Sequence, residues 1–401
     1  MFERYFVLVL SVLNIQDGPR CRLNARTHFG EPLPVVLRNG RLLEPTDQWG
    51  NVDLENGERL TLSCEGAGTI VHPSATRQLA TADIVCETGD NFNNNDWLSA
   101  PARFSLFRCV FPPAYVSETT NRTCYENHLV VEVGYRIEGT LYPVYESCFN
   151  NNTLNVIYSK YTQKPYNAYF QTRVDRPYFI DDGKYANVPV ESLFSPGGQK
   201  NAVAKLVSSR IDTYITREQF LSRGHLAAKT DFPFAFGQRA TFHYVNCAPQ
   251  WYGFNSGNWN TLEVELRNRV NAAGYETIVY TGTFGVSQLT DIYGKRVDLY
   301  LFNDRNNNPV IPIPLYFYKV VYEPATTRGT AFVGINNPYY SPAEAKDLFF
   351  CRDVCRGNAN FSWLIWRADS SSDGYAFCCT IPDFRNTVEH LPYFEVVGLL
   401  T

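Results

Sequence analysis

The chain has 401 residues, which is enough for one large or two moderate domains with a substantial core. Its hydrophobic share of 44% and charged share of 19% are typical of a globular protein, and 15% aromatic residues with 26 Gly and 23 Pro favour strands and turns over a helical bundle. The formal net charge of −4 excludes a bulk polycation, so binding to phosphate would need locally concentrated positive charge.

The N-terminus carries an uncharged, mostly apolar run at residues 5–13. It is too short to span a bilayer and lies where a secretory signal has its apolar core, so residues 1–20 are predicted to be a signal peptide. A buried N-terminal strand is the alternative interpretation. Elsewhere the sequence has no stretch of eighteen or more apolar residues, which argues against an integral membrane protein.

The eleven cysteines indicate an exported, disulfide-bonded protein, and their odd number leaves one free or intermolecular. A zinc site at Cys351-x3-Cys355 and Cys378-Cys379 is the rival interpretation. Disulfides are favoured because His390 is the one histidine close to these cysteines in the sequence, and because the cysteine spacing is not that of a zinc ribbon. Three N-x-S/T sequons are compatible with glycosylation on exposed loops: Asn121, Asn151 and Asn360.

Residues 21–150 are predicted to form a small disulfide-bonded β domain. Short alternating stretches such as 59–63 and 129–133 are typical of strands, and clusters of Gly, Pro and Asn such as 91–96 are typical of loops. No residues in this segment suggest chemistry.

From residue 155 to 401 the pattern is mixed and predicts a second domain. Apolar runs at 276–284, 313–322 and 330–335 are typical of buried strands. The clearest helix is predicted at 259–273, with N-cap residues at 255–258 and a stop at Gly274. Another helix is expected to begin near 341–344.

The tetrapeptide Ser222-Arg223-Gly224-His225 is the first candidate for chemistry. A neutral imidazole can take a proton from water, and a guanidinium can hold a phosphate through two hydrogen bonds. Such a short motif is common, and by itself a surface loop would be the better interpretation.

A second cluster strengthens the case. Four side chains recur every fourth residue along one side of the predicted helix: Asn255, Trp259, Glu263 and Arg267. A solvated Glu263–Arg267 surface pair is the alternative. The stretch 241–246 alternates as a strand, so a strand ending at His225, a returning strand and this helix would form a ββα arrangement. There the oxygen of Asn255 could hold a hydrated Mg²⁺.

The strings RGHLAAKTDF, N-x2-PQ, N-x-G-x-W and L-E-x3-R resemble the DNA/RNA non-specific endonuclease family of ββα-metal nucleases over residues 200–390. The resemblance implies an α+β fold in which a ββα-metal core has a central antiparallel sheet and flanking helices. It also implies roles for individual residues. His225 would be the general base, Asn255 the protein ligand of Mg²⁺ and Glu263 a holder of the ion's water, with Arg223 and Arg267 on phosphate and Asn246 supporting the histidine and substrate.

One departure concerns the first position of the motif, where the family's usual Asp is replaced by Ser222. The S-R-G-H variant and the Cys351-x3-Cys355 and Cys378-Cys379 tail resemble secreted arthropod nucleases, including forms that degrade double-stranded RNA. Serine carries no charge, so the replacement could change the pKa of His225 or the approach of the substrate.

Together these features predict a secreted endonuclease, acting in an extracellular space such as a gut lumen, that cleaves DNA, RNA or both without strong sequence specificity. Mg²⁺ is the expected cofactor, with Mn²⁺ as a substitute, and nucleic acid is the expected partner through its phosphate backbone. Nine cationic and five anionic side chains lie between residues 200 and 270, so positive charge is concentrated around the motifs. A catalytically inactive nucleic-acid-binding relative is the alternative.

Overall fold

The structure is a computed structural model that describes residues 20–185 and 188–401. The predicted signal peptide at 1–20 therefore lies outside the described residues except for its last position. Within the described ranges no helix is both long enough and apolar enough to cross a membrane. The three sequon asparagines are exposed, which N-glycosylation requires, and their modification stays a prediction.

The N-terminal part of the chain is built from antiparallel strands. Six of them form one sheet in the order β3-β2-β5-β7-β8-β9, and β1 pairs with β4 and β6 with β10. The strands are β1 Arg20–Asn24, β2 Val35–Arg38, β3 Arg41–Leu42, β4 Asn51–Glu55, β5 Arg59–Ser63, β6 Ile70–Val71, β7 Thr81–Thr88, β8 Asn91–Asn93, β9 Ala102–Arg103 and β10 Arg108–Cys109.

The larger part is organised around an eight-stranded antiparallel sheet with the order β11-β12-β13-β14-β17-β22-β23-β24. Three smaller two-stranded pairs, β15–β16, β18–β19 and β20–β21, lie outside it. The strands are β11 Val116–Thr123, β12 Leu129–Ile137, β13 Thr140–Asn150, β14 Asn155–Gln163, β15 Leu221–His225, β16 Cys247–Trp251, β17 Thr277–Val286, β18 Gln288–Thr290, β19 Arg296–Asp298, β20 Tyr300–Asn303, β21 Pro309–Pro312, β22 Pro314–Glu323, β23 Arg328–Ile335 and β24 Ala376–Cys379.

The predicted domain boundary between residues 150 and 155 falls inside this eight-stranded sheet. Strands β11, β12 and β13 precede the boundary, β14 follows it, and β13 and β14 pair directly, with Glu146 opposite Lys160. The alternating pattern of β12 and β13 resembles that of the N-terminal strands, so composition alone did not separate the two sheets.

Few helices accompany the sheets, and most are short. They are α1 Val190–Leu193, α2 Pro196–Val207, α3 Ile211–Tyr214, α4 Ala235–Ala240, α5 Tyr252–Phe254, α6 Asn260–Ala273, α7 Pro342–Asp347 and α8 Ile381–Arg385, and a π-helical turn at Asn255–Trp259 joins α5 to α6. The helix predicted near 341–344 is α7, which Ser341 caps. The chain is thus a mixed α and β protein with antiparallel sheets and few helices.

Apolar side chains are buried against both faces of the eight-stranded sheet. One cluster includes Phe317 on the side of α6 and continues into the N-terminal strands, and the other includes Tyr318 on the side of α8. Burial on both faces explains why the predicted strand 313–322 is almost continuously apolar. Lys319 is the exception in that run, and it is fully buried.

Ten of the cysteines form disulfides, and the remaining one, Cys247, is free and buried. The pairs are Cys21–Cys86, Cys64–Cys109, Cys124–Cys148, Cys351–Cys379 and Cys355–Cys378. The last two pairs use all four cysteines of the rival zinc site. That interpretation is therefore wrong, because a disulfide sulfur is not the thiolate that binds zinc.

Candidate active site

The antiparallel pair β15–β16 carries the first cluster. Arg223 lies opposite Pro249 and His225 opposite Cys247 in its register. Between them, Gly224 packs so closely on Gln250 that an added Cβ would lie 2.4 Å from the amide oxygen of that side chain. Glycine is therefore required here for packing, and the tight contact fixes the strand that ends at His225.

The returning strand differs from the prediction. The stretch 241–246 contains a 3₁₀ turn at Tyr244–Asn246, and β16 follows it. The turn forms because Nδ1 of His243 accepts a hydrogen bond from the backbone N–H of Val245 at 3.1 Å. This local hydrogen bond competes with the pairing of the segment as a strand. An alternating sequence pattern does not show that such a bond will form.

His225 is held among aromatic rings at the end of β15. Its ring centroid lies 5.0 Å from that of Phe179 and 4.8 Å from that of Phe242. Its Nε2 is shielded from solvent and has no hydrogen-bond partner among the described residues. Burial, with smaller effects of Arg176 and Lys229, lowers the pKa of His225 to about 3, so the imidazole is neutral near pH 7.

Arg176 is a residue of this site that sequence reasoning missed. Its guanidinium is exposed and lies 5.1 Å from the ring centroid of Phe242. Burial lowers the pKa of His225, and the charge of Arg176 adds to that shift. Burial raises the pKa of Glu263, and the charge of Arg176 opposes that rise, so the same cation acts on both predicted site residues. Arg176 lies far upstream of the motif in a segment without regular structure, and no pattern in the sequence marked it.

Arg223 is anchored rather than free. Its Nε donates to the hydroxyl of Tyr244 at 3.0 Å and its Nη2 to the carbonyl of Glu191 at 3.2 Å. The guanidinium carbon also lies 5.3 Å from the ring centroid of Phe194. The side chain is partly exposed, so the remaining N–H groups can meet an anion while the aromatic rings fix the orientation of the guanidinium.

Asn246 is hydrogen-bonded inside the protein. It is fully buried, and its oxygen accepts from the hydroxyl of Ser159 at 2.9 Å and from the N–H of Ala227 at 2.8 Å. Its amide nitrogen donates to the carbonyls of Ala227 and Thr241, both at 3.0 Å. The amide therefore fixes the chain just after His225, which fits its predicted support of the histidine, and its contact with the substrate stays a prediction.

The second cluster begins before the predicted helix start. The chain is already helical from Tyr252, and Asn255 opens the π-helical turn. The predicted N-cap at 255–258 is therefore wrong, whereas the predicted end at Gly274, with a left-handed φ of 72°, is confirmed. The side-chain amide of Asn255 is partly buried and forms no hydrogen bond with any residue that the structure describes.

The C-terminal loop that the disulfides hold fixes this π-helical turn. Asn258 donates from its amide to the carbonyl of Arg367 at 2.9 Å and accepts from the N–H of that residue at 2.7 Å. A Cβ on Gly257 would lie 2.8 Å from Cα of Asp373, so the two segments are in close contact. π-Helical turns are frequent at functional sites, and this one determines where Asn255 points.

Glu263 and Arg267 do not form the surface pair that was the alternative interpretation. Arg267 is only 6% exposed and donates to Oδ1 of Asp231 at 2.8 Å. Glu263 is partly buried, and no hydrogen bond joins its carboxylate to the described part of the chain. Burial raises the pKa of Glu263 to about 7, while the charge of Lys319 opposes that shift.

The sequence did not predict a buried network of hydrogen bonds and an ion pair beneath α6. Asp231 accepts from the hydroxyl of Tyr161 at 2.6 Å and from the amide of Gln163 at 3.1 Å, besides Arg267. Lys319 donates to the same tyrosine hydroxyl at 2.8 Å. The sequence did carry one signal, a single cation in an otherwise apolar strand, because such a residue is buried only when charged or polar partners surround it.

Replacing Asp231 with asparagine is expected to lower the free energy of unfolding by about 3 kcal/mol, because Arg267 would then be a buried charge without its counter-ion. Urea denaturation measures this. The matched control is Asp369→Asn, which removes the exposed partner of Arg356 and should cost less than about 1 kcal/mol. Equal losses in the two variants would contradict a buried network.

Four further polar or aromatic residues lie in or near the two motifs along the chain. Lys229 donates from Nζ to the carbonyl of Val174, and His243 and Trp251 are fully buried. Tyr252 is 43% exposed and stacks on Phe220 with ring centroids 4.8 Å apart. Of these four, Tyr252 alone presents an aromatic ring to solvent.

Comparisons with known proteins show what the chain is similar to. The family model described as DNA/RNA non-specific endonuclease matches residues 127–384. A salivary endonuclease of Lutzomyia longipalpis is 28% identical over 95% of this chain and 88% of its own, and salivary protein Tsal2A of Glossina morsitans morsitans is 25% identical over 95% and 94%. A solved EndoG/EndoGI complex aligns with 48% of this chain and 71% of the other, with 21% identity and a TM-score of 0.32.

Proposed function

Because the chain belongs to the DNA/RNA non-specific endonuclease family, we propose that it is a secreted, Mg²⁺-dependent endonuclease whose site is formed by His225, Asn255 and Glu263. Its substrate is the phosphodiester backbone of DNA, RNA or both, double-stranded RNA included. The five disulfides support export, since such bonds persist in oxidising compartments. The salivary names of the relatives also support it.

The observation that carries the proposal is a set of polar groups that the fold positions and leaves without protein partners. Nε2 of His225 has no partner in the described chain, and neither do the side chains of Asn255 and Glu263. Most buried polar groups in folded proteins are paired, so the buried Nε2 of His225 has unused hydrogen-bonding capacity for a ligand. Asn255 and Glu263 are partly buried, and their side-chain oxygens are free to meet the same ligand. Arg176 lies close enough to influence the pKa of both His225 and Glu263.

These donors fit a hard divalent cation. Mg²⁺ prefers oxygen ligands and retains most of its water, so the amide oxygen of Asn255 would be its protein ligand and Glu263 would accept hydrogen bonds from its bound water. When bound, the ion would offset negative charge on the scissile phosphate and on the leaving oxygen. The group of Asp353, Cys355 and Cys378 offers no competing thiolate site, because the two cysteines form a disulfide.

His225 supplies the base. In its neutral form Nε2 accepts a proton from the attacking water as the new bond to phosphorus forms and the bond to the leaving oxygen breaks. In the free protein burial and nearby cations hold the pKa of His225 to about 3. A bound phosphate would offset the charges of Arg176 and Lys229, so the pKa of His225 would rise and the imidazole would become a stronger base.

Two arginines position the phosphate. Arg223 is fixed by Tyr244 and the carbonyl of Glu191, and the exposed Arg176 lies over the ring of Phe242. Guanidinium groups bind phosphate oxygens through paired hydrogen bonds and stabilise the charge of the transition state. Arg267 acts indirectly, since its bond to Asp231 fixes the helix that presents Glu263.

The direct test is digestion of closed-circular DNA, linear duplex DNA, double-stranded RNA and single strands at one salt concentration. We expect Mg²⁺ to support internal cleavage, seen as opening of the closed circle, and EDTA to abolish it until Mg²⁺ is restored. The relative rates give the substrate preference. Retention of nucleic acid without cleavage in Mg²⁺ or Mn²⁺ would contradict the proposal and identify an inactive binding protein.

A further inference from the structure

Tyr178 is an aromatic side chain with no structural role in the fold. It is 88% exposed, and within residues 20–185 and 188–401 no hydrogen bond or ring contact involves its side chain. Single exposed aromatic rings are common on protein surfaces, so exposure alone does not assign a ligand, and the position of the ring beside a binding site has to do so. The neighbouring residues show where such a ligand would lie.

The segment that carries Tyr178 is fixed beside His225. Phe179 packs its ring 5.0 Å from the ring of His225. Ile180 donates its N–H to the carbonyl of Phe242 at 3.2 Å and accepts from the N–H of Tyr244 at 2.9 Å. A backbone fixed on one side by these bonds, and stiffened by the preceding Pro177, holds the exposed ring with little loss of entropy on binding.

A cation lies two residues before the exposed ring. Arg176 is itself exposed, and its guanidinium contacts the ring of Phe242, which also contacts His225. A phosphate held between Arg176 and His225 would have its attached sugar and base next to the segment 176–179. An exposed, rigid aromatic ring beside a phosphate-binding cation is the arrangement by which proteins bind single-stranded nucleic acid without reading its sequence.

We propose that Tyr178 is a stacking platform for one unpaired nucleobase next to the scissile phosphate. This rests on the proposed function, since it assumes that the phosphate binds at His225. Stacking on the face of a base tolerates any sequence, because every base has an aromatic face. It requires that the base leave its own stack, so the site favours single strands and frayed or unpaired positions over intact duplex.

The test measures by fluorescence anisotropy how tightly the protein binds a short fluorescein-labelled oligonucleotide, either oligothymidylate as DNA or oligouridylate as RNA. EDTA is present to prevent cleavage. Tyr178→Ala is expected to weaken binding about tenfold or more, and Tyr178→Phe, which keeps the ring, is expected to bind like the wild type. The matched control is Tyr293→Ala, because Tyr293 is 87% exposed on the turn between β18 and β19.

An oligonucleotide whose bases are replaced by abasic sugars separates stacking from backbone contact. If Tyr178 stacks on a base, the wild type and Tyr178→Ala should bind this abasic strand equally. Equal affinity of Tyr178→Ala and the wild type for the normal oligonucleotide would overturn the proposal, as would the same loss in Tyr293→Ala. The readout is binding, so a protein that binds but does not cleave would refute the proposed function and leave the stacking result interpretable.

Discussion

Replacing His225 with alanine is expected to lower kcat for phosphodiester cleavage by about 10²–10⁴-fold, the usual contribution of a positioned general base. The expected effect is on kcat because the imidazole takes its proton only as the water attacks. The affinity for oligonucleotide in EDTA should change little, since Arg223 and Arg176 remain. Steady-state cleavage of one duplex substrate and anisotropy with one oligonucleotide measure the two quantities.

The matched control is His28→Gln, because His28 lies in the N-terminal part, where its Nδ1 accepts from the backbone N–H of Asn24 at 2.9 Å. This variant should cleave at the wild-type rate. Circular dichroism and a thermal melt show whether each variant is folded. A folded His225→Ala protein that cleaves at more than about a tenth of the wild-type rate would refute the assignment of the base.

Replacing Asn255 with alanine is expected to remove the protein ligand of the cation and to lower activity at a fixed Mg²⁺ concentration by about 10²-fold or more. Raising the concentration of Mg²⁺ or Mn²⁺ should restore part of the loss, because the remaining contacts of the ion run through Glu263 and water. Asn255→Asp keeps an oxygen ligand and is expected to need less cation than Asn255→Ala. Activity against cation concentration for each variant gives this order.

Asn260→Ala is the control for this series, since Asn260 is the exposed first residue of α6, five positions beyond Asn255. Its dependence on the cation should match that of the wild type. The assignment of the ligand fails if Asn255→Ala needs no more cation than Asn260→Ala. It also fails if both Asn255 variants lose activity equally at every cation concentration while remaining folded.

The sequence predicted the local features well where each depended on few residues. Gly274 ends α6 in a left-handed conformation, Ser341 caps α7, and β5 spans residues 59–63 as expected. In each case the feature depends only on residues within one helical turn or within one strand. The motif around His225 also lies at the end of a strand, as its residues indicated.

Features that depend on distant segments were not predictable. The π-helical turn at Asn255–Trp259 is fixed by Asn258 and a loop that begins more than a hundred residues later. The ion pair of Arg267 with Asp231 joins residues 36 positions apart, whereas the acidic residue one turn before Arg267 on the same side of the helix is Glu263. Periodicity describes one element at a time and cannot specify which elements pack together.

The same limitation explains the domain boundary. Strands β11 to β13 alternate like those of the N-terminal sheet, yet they pair with β14 and, through it, with β17. The family match begins at residue 127, between β11 and β12, and so includes β12 and β13 with the later strands. Strand pairing is a long-range property, and composition along the chain does not record it.

The most direct test of the central claim is a crystal structure of the protein soaked with Mn²⁺, recorded with anomalous scattering. The proposed site predicts one anomalous peak next to the side-chain oxygen of Asn255, with Glu263 facing the hydration shell of the ion and Nε2 of His225 facing the water that attacks. No peak beside Asn255 under conditions in which the crystals cleave nucleic acid, or a peak coordinated by other residues, would contradict it.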